Sequence, residues 1–343
     1  MARGTKSRSK LIKSAVINKV RRRFLVFAAT FFAVPLLSLV PAVTAVAQAA
    51  NPWLGRRVLN IAHQGGEYEA PSDTMFAFKK AVEKGADVLE LDVHATSDGK
   101  IVALHDATVD RTTNGTGRVD QLTLAQVQAL DAAYEFAEDC GTCANRPEAE
   151  YIYRGFATGQ QSIPAELGNF EPSDFRVPTL REVLQEFPDN LLNIEIKATV
   201  PDTAPYEAKV AALLNEFDRD TDTIVVSFND TAMTLFKLNQ TAVSAAPGIV
   251  TAGLFWASTQ GALPGIPLPG YHALQVPTTY QGLPIVSQPF VTKAHTNKLA
   301  VHVWTIDDRA EMERLVDLGV DGIMSSRPAL LEEVLEEKGV KYD

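Results

Sequence analysis

The stretch "VLELDVHATSDGKIVALHD", residues 88–106, decides how the chain is read. Leu89, Leu91 and Val93 alternate with Glu90, Asp92 and His94, and this period of two is that of a strand with distinct faces. Two carboxylates on one strand face repel each other, and burial makes that repulsion expensive. A divalent cation relieves it and takes oxygen ligands. A second stretch, "NIEIK" at 193–197, repeats the pattern: Glu195 and Lys197 share one face, Ile194 and Ile196 the other. Strand periodicity alone fits two arrangements equally. One is an oxygen-rich site for a metal and a phosphate. The other is an internal ion-pair network joining Lys197 to Glu90 or Asp92.

Outward from these strands the pattern alternates. Further strand candidates are 58–63, 223–228, 250–256, 273–276, 300–306 and 321–325, with 88–94 and 191–197 already described. Helical segments fall between them, such as "DTMFAFKKAVEKG", "TLREVLQEF", "PYEAKVAALLNEF" and "DRAEMERLVDLG", which carry acidic starts, terminal glycines or following prolines. Asp73 is expected as the N-cap of the first helix. The fifth helix is poorly marked, because residues 257–272 are rich in Gly and Pro. Eight strands with intervening helices predict an α/β fold, a TIM (β/α)8 barrel. A doubly wound open sheet is the alternative, but "HQGGEY" after the first strand is not the G-x-G-x-x-G loop such sheets use. About 250 residues suffice for a barrel. The excess is placed at 107–176, an insertion after the second strand that reads as turns, one short helix and irregular chain.

The first fifty residues differ from the rest. Nine Lys and Arg residues between Arg3 and Arg23 precede an apolar run, Phe24 to Ala47, that closes on "AVAQAA". This is the layout of an export signal; an uncleaved N-terminal membrane anchor is the alternative. Residues 51–343 are then the barrel domain, outside the cytoplasm. Removing nine of the 32 basic residues leaves 23 against 42 acids, a net charge of −19. Such a domain has no electrostatic footprint for nucleic acid, and no protein partner is indicated. Membrane association is expected only through the N-terminal segment. The two cysteines, Cys140 and Cys143 in "DCGTC", are expected to form a local disulfide. They are too few for a four-cysteine zinc site.

His63 ends the first strand and His105 follows the hairpin after the second. Two imidazoles near a metal suit general acid–base work, whereas a lone histidine is more often structural or solvated. His94 is assigned to packing or to supporting the site; His272, His295 and His302 are read as structural or exposed. Here the chain resembles the glycerophosphodiester phosphodiesterase family, over residues 57–335. The resemblance rests on ordered blocks: "AHQGG…APSDT", "GADVLELDVHATSDGKIVALHDATVDRTTNGTG", "VPTLREVL", "NIEIK" and "VHVWTIDDRAEMERLVDLGVDGIMSSRP".

The resemblance implies a TIM barrel with a family insertion. It implies that His63 and His105 are the acid/base pair, and that Glu90, Asp92 and Glu195 hold a divalent cation, Mg2+ or Ca2+. Lys197 would contact the phosphate and Trp304 would wall the glycerol side of the pocket. The implied reaction cleaves a glycerophosphodiester to glycerol 3-phosphate and an alcohol. Two positions depart from the family. Gln64 stands where it has arginine, so the grip on substrate there is neutral. Ser72 stands where it has glutamate, followed by Asp73 in place of asparagine. If the family's two charged groups pair, their losses are correlated. Two other readings compete with a soluble-diester hydrolase. One is a barrel that binds without turnover. The other is a lysophospholipase D-like enzyme, for which Phe255, Trp256 and "LPGIPLPGY" would line a lipid-facing rim.

Overall fold

The computed structural model describes residues 51–197, 205–240 and 242–341. The basic and apolar segment read as a signal or anchor lies outside the described residues. Eight parallel strands follow in chain order: β1 (Leu59–Ala62), β2 (Val88–Ala95), β3 (Leu191–Ile196), β4 (Thr223–Val226), β5 (Ser244–Ala245), β6 (Ala273–Pro277), β7 (Ala300–Trp304) and β8 (Gly322–Ser325). Each is followed by a helix: α1 (Met75–Glu83), α2 (Leu180–Glu186), α3 (Glu207–Glu216), α4 (Asp230–Asn239), α5 (Ile249–Thr259), α6 (Gln288–Thr296), α7 (Arg309–Leu318) and α8 (Pro328–Glu337). The strands pair in the order β5-β4-β3-β2-β1-β8-β7-β6. His272 bridges the remaining seam: its N–H donates to the Ala245 carbonyl at 2.8 Å, and its Nδ1 accepts the Ala245 N–H at 3.4 Å. The result is the expected (β/α)8 barrel, nearly closed.

Two expectations about elements are overturned. Residues 250–256 are not the fifth strand; they lie in α5, and the strand is the short Ser244–Ala245. The reason is a cap supplied from a distance. The Asp230 carboxylate accepts the Val250 and Thr251 N–H groups at 2.9 and 3.2 Å, and Gly248 lets the chain approach so closely that a Cβ would lie 2.7 Å from the Asp230 nitrogen. That start signal sits twenty residues upstream, where local pattern does not reach. α5 buries Phe255 and Trp256, so neither faces lipid, and exposes Ile249, Val250 and Leu254 instead. Asp73 is not the N-cap of α1. Thr74 is, its Oγ1 accepting the Ala77 N–H at 3.1 Å, and Asp73 turns inward at φ 55.

Between β2 and α2, a short strand (Ile101–Ala103) folds back antiparallel on β2. Residues 107–176 then carry the hairpin Phe136–Ala137/Gly141–Thr142 and a set of stacked aromatics. Phe76 of α1 fastens them, its ring 4.6 Å from Phe170 and 4.7 Å from Phe175.

The barrel interior is layered. At the floor, where the strands begin, Trp53 is buried among Leu59, Val88, Ile224, Ala273 and Ala300. Asn51 ties it in, donating to the carbonyls of His272 and Lys298 at 2.6 and 2.9 Å. Above lies an uncharged polar layer in which the Gln275 amide spans Asn193 (3.1 Å) and His302 (3.3 Å). Burial holds the His302 imidazole down at about 4, so it stays neutral. Truncating Trp53 to Ala opens the floor and is expected to cost about 3–5 kcal/mol. Urea unfolding of the two proteins checks this; a change below about 1 kcal/mol would contradict the stopper role.

Candidate active site

The charged layer tops the barrel, at the C-terminal ends of the strands. Leu89, Leu91 and Val93 pack outward into the core shared with the helices, together with Ile194 and Ile196. This obliges Glu90, Asp92 and Glu195 to face inward. Register sets Asp92 against Glu195, and Glu90 against Asn193. One ligand atom from each of Glu90, Asp92 and Glu195 lies within 4.8 Å of the others. Lys197 Nζ reaches Asp92 Oδ1 at 2.9 Å and Glu195 Oε2 at 3.1 Å. The ion-pair arrangement and the oxygen cluster therefore coexist, with Lys197 on Asp92 and Glu195 rather than Glu90.

One lysine does not balance these acids, and the titration behaviour follows. Burial and the Asp92 charge push the Glu195 carboxyl up to about 7. Burial, Asp92 and Asp73 push Glu90 well above the usual carboxylate range. Burial opposes ionisation of Asp92 too, but Lys197 and the imidazoles of His105 and His63 hold it below that range. Asp73 is buried beside it, its Oδ1 accepting the Asp92 N–H at 3.4 Å. Asp92 Oδ2 and Asp73 Oδ2 are buried with no hydrogen-bond partner. An all-oxygen set with orphaned carboxylate oxygens and raised carboxyls fits a hard divalent cation.

His63 leaves β1 in a tight turn. Gln64, Gly65 and Gly66 all have positive φ, at 51, 77 and 91. A Cβ on Gly65 would stand 2.7 Å from that of Ala77, and one on Gly66 would stand 2.8 Å from Pro328 Cγ. The two glycines of "HQGG" are thus a steric requirement of the turn. His63 Nδ1 lies 3.1 Å from Glu67 Oε1 and 3.4 Å from Ser326 Oγ. His105 is backed in the same way: its Nδ1 lies 2.6 Å from Asp106 Oδ1, and Arg111 Nε donates to Asp106 Oδ2 at 2.7 Å. His94 Nε2 meets the His105 carbonyl at 3.1 Å, so it positions the backbone of that residue. The supporting Glu67, Asp106, Arg111 and Ser326 escaped the sequence reading. The available signal was an acid one residue after His105 and four after His63.

The Gln64 and Ser72 side chains hydrogen-bond to each other, so the two departures form one contact. Trp304 ends β7 half-buried at the mouth, its ring 5.3 Å from that of the exposed Phe228. Cys140 and Cys143 are bonded within the hairpin. That hairpin leans on the His63 turn: the Asp139 N–H donates to the Tyr68 carbonyl at 3.1 Å, and a Cβ on Gly141 would stand 2.8 Å from the Glu67 carbonyl oxygen.

A parallel barrel that gathers three acids, a lysine and two carboxylate-backed imidazoles at its C-terminal mouth is the build of a TIM-barrel phosphoric diester hydrolase. The chain belongs to the glycerophosphoryl diester phosphodiesterase family, whose sequence model matches residues 63–330. It is 32% identical over 288 residues to a glycerophosphodiester phosphodiesterase of Caldanaerobacter subterraneus subsp. tengcongensis, covering 82% of this chain and all of that one. It is 25% identical over 312 residues to a lysophospholipase D of Rattus norvegicus, covering 80% and 85% of the two chains. A phosphodiesterase of Oleispira antarctica, solved in complex with the product sn-glycerol-3-phosphate, shares the fold with a TM-score of 0.55 at 20% identity, over 80% of this chain and 96% of that one.

Proposed function

We propose that the chain is an exported, cation-dependent phosphodiesterase that cleaves glycerophosphodiesters to glycerol 3-phosphate and an alcohol, with His63 and His105 as the acid/base pair. The observation that carries this is the meeting of Glu90, Asp92, Glu195 and Lys197 beneath two imidazoles, both of which act electrostatically on Asp92. Glu90, Asp92 and Glu195 would hold the cation, Mg2+ or Ca2+. When bound it supplies charge neutralisation and polarisation at the phosphoryl oxygens. Lys197 adds a fixed positive charge for the same oxygens. One imidazole takes the proton of the attacking hydroxyl, and the other gives a proton to the leaving alkoxide. The attacking group in this reading is the substrate's adjacent hydroxyl, giving a cyclic phosphate that water then opens. Gln64 lies beside His63 and offers the substrate a neutral hydrogen bond. Trp304 walls the glycerol side. Export rests on the layout of residues 1–50 and is in keeping with a bonded cysteine pair.

A second reading has its own observation. Phe228, Ile249 and Val250 are exposed, and the Ile249 N–H is bonded to the Phe228 carbonyl at 3.1 Å. Together with Trp304 they give one side of the mouth an apolar rim, suited to a lysophospholipid. Release of glycerol 3-phosphate from glycerophosphocholine, lost with EDTA and restored by Mg2+ or Ca2+, is the expected result. Choline release from lysophosphatidylcholine in preference to that reaction would favour the second reading. No turnover of either would leave a barrel that only binds.

A further inference from the structure

We propose that Glu67 and Gln64, the latter oriented by Ser72, are positioning residues that grip His63 by both ring nitrogens and hold it as the Nδ1–H tautomer, with its Nε2 lone pair turned to the mouth. The inference rests on the acid/base role given to His63 above.

The Nδ1 side is set by the turn. The Gly66 and Glu67 N–H groups both return to the His63 carbonyl, at 2.7 and 3.2 Å. This curls Glu67 back until its carboxylate meets Nδ1 at 3.1 Å. Ser326 Oγ sits 3.4 Å from both partners. An ionised carboxylate only accepts hydrogen bonds, so the proton between Glu67 and His63 belongs to Nδ1. Burial opposes ionisation of Glu67, but its hydrogen bond to His63 and the charge of Arg111 hold the carboxyl below its ordinary range.

The Nε2 side is set by the amide of Gln64, whose Nε2 lies 3.3 Å from the ring nitrogen. An amide has one accepting and one donating end. The Ser72 hydroxyl occupies the accepting end, which leaves the NH2 group for the imidazole. The Gln64 backbone cannot drift. Its N–H donates to Glu90 Oε2 at 2.8 Å, and its carbonyl accepts the Asp73 N–H at 3.0 Å. Both contacts require the same tautomer: a ring proton on Nδ1 and a lone pair on Nε2. The Gln64 contact is long and uncharged, so an incoming substrate hydroxyl displaces it without stranding a buried cation. This gives the joint appearance of Gln64 and Ser72 a use. A serine at 72 is no counter-ion for an arginine at 64, but it is a donor that sets an amide.

Long-range 1H–15N spectra of the exported protein, recorded at pH 8 without substrate, test this. His63 is expected to show the Nδ1–H pattern, assigned by its loss in His63→Ala. Glu67→Gln presents an amide to Nδ1 and is expected to shift His63 toward the Nε2–H form. Its kcat falls, by up to the roughly 10⁴-fold lost where an amide replaces the carboxylate behind a catalytic histidine, with KM unchanged; Glu67→Asp recovers part of it. Ser72→Ala frees the Gln64 amide and gives a mixed tautomer. An Nε2–H pattern in the unaltered protein overturns the proposal, as does an unchanged tautomer in both Glu67→Gln and Ser72→Ala. If Glu67→Gln does not fold, Ser72→Ala decides from the same spectrum. The spectra need no turnover, so failure of the phosphodiesterase reading remains separate from failure of this one.

Discussion

His105→Ala is expected to lower kcat about 10³-fold and leave the melting temperature unchanged. The imidazole side chain is 40% exposed, so its loss opens no sealed cavity. Asp106 keeps its salt bridge to Arg111, and no buried charge is orphaned. What goes is a proton donor or acceptor, and general acid–base groups typically contribute 10²- to 10⁴-fold. The choice of substrate separates the two roles. A p-nitrophenyl diester has a leaving group that needs no proton. If His105 is the acid, the defect shrinks on that diester; if it is the base, the defect persists. The same comparison on His63→Ala should give the opposite answer. Turnover at the unaltered rate in either variant removes that residue from the mechanism.

The second large effect is a linkage between cation, pH and stability. Glu195 is held at about 7, against an ordinary value of 4.5. Below about 4.5 the folded and unfolded chains are both protonated here, and the group adds nothing. Between these values the unfolded chain releases a proton that the folded one keeps, so stability falls as pH rises. Above about 7 the loss is complete. Glu90, raised by the same causes, acts in the same direction. Asp92, held low, acts oppositely: its contribution is present above its unfolded value and is lost only in more acidic solution. A cation held by Glu90, Asp92 and Glu195 would reverse the penalty on Glu195 and Glu90. The EDTA-treated protein should therefore melt lower at pH 8 than at pH 5, by roughly 5 °C, and added Mg2+ or Ca2+ should raise the melting temperature far more at pH 8 than at pH 5. Glu195→Gln should be more stable than the unaltered protein at pH 8 without cation, and should gain little when cation is added. An equal cation-induced rise in both proteins would remove Glu195 from the ligand set.

How much of this was legible depended on the range of the physics. Alternation at 88–94 and 193–197 placed the acids on one face because a strand's faces are fixed by its own chain. The helix at 249–259 was not legible, because its cap comes from Asp230 and its apolar run fits a buried strand equally well. β5, only Ser244–Ala245, is too short and small to leave a pattern. In the site, His63 stood out at the end of the first strand and His105 just after the hairpin that follows the second. Their carboxylates did not, since Glu67 reaches His63 only through a turn that two crowded glycines permit. The Gln64 and Ser72 departures were legible as a correlated loss only on the condition that the family's two charged groups pair; the fold shows the two side chains in contact. Asp73 looked like a cap because its residue type suits one, whereas in the fold its N–H is bonded to the distant Gln64 carbonyl and its carboxylate to the Asp92 N–H.

The Trp53 stopper has a practical consequence. It fixes the point at which the polypeptide enters the barrel, and that point lies at the pole opposite the mouth. A fusion partner or a resin linkage joined just ahead of Asn51 would leave the substrate entrance facing the bulk solution. The N-terminal side is accordingly the handle for immobilising or labelling this enzyme.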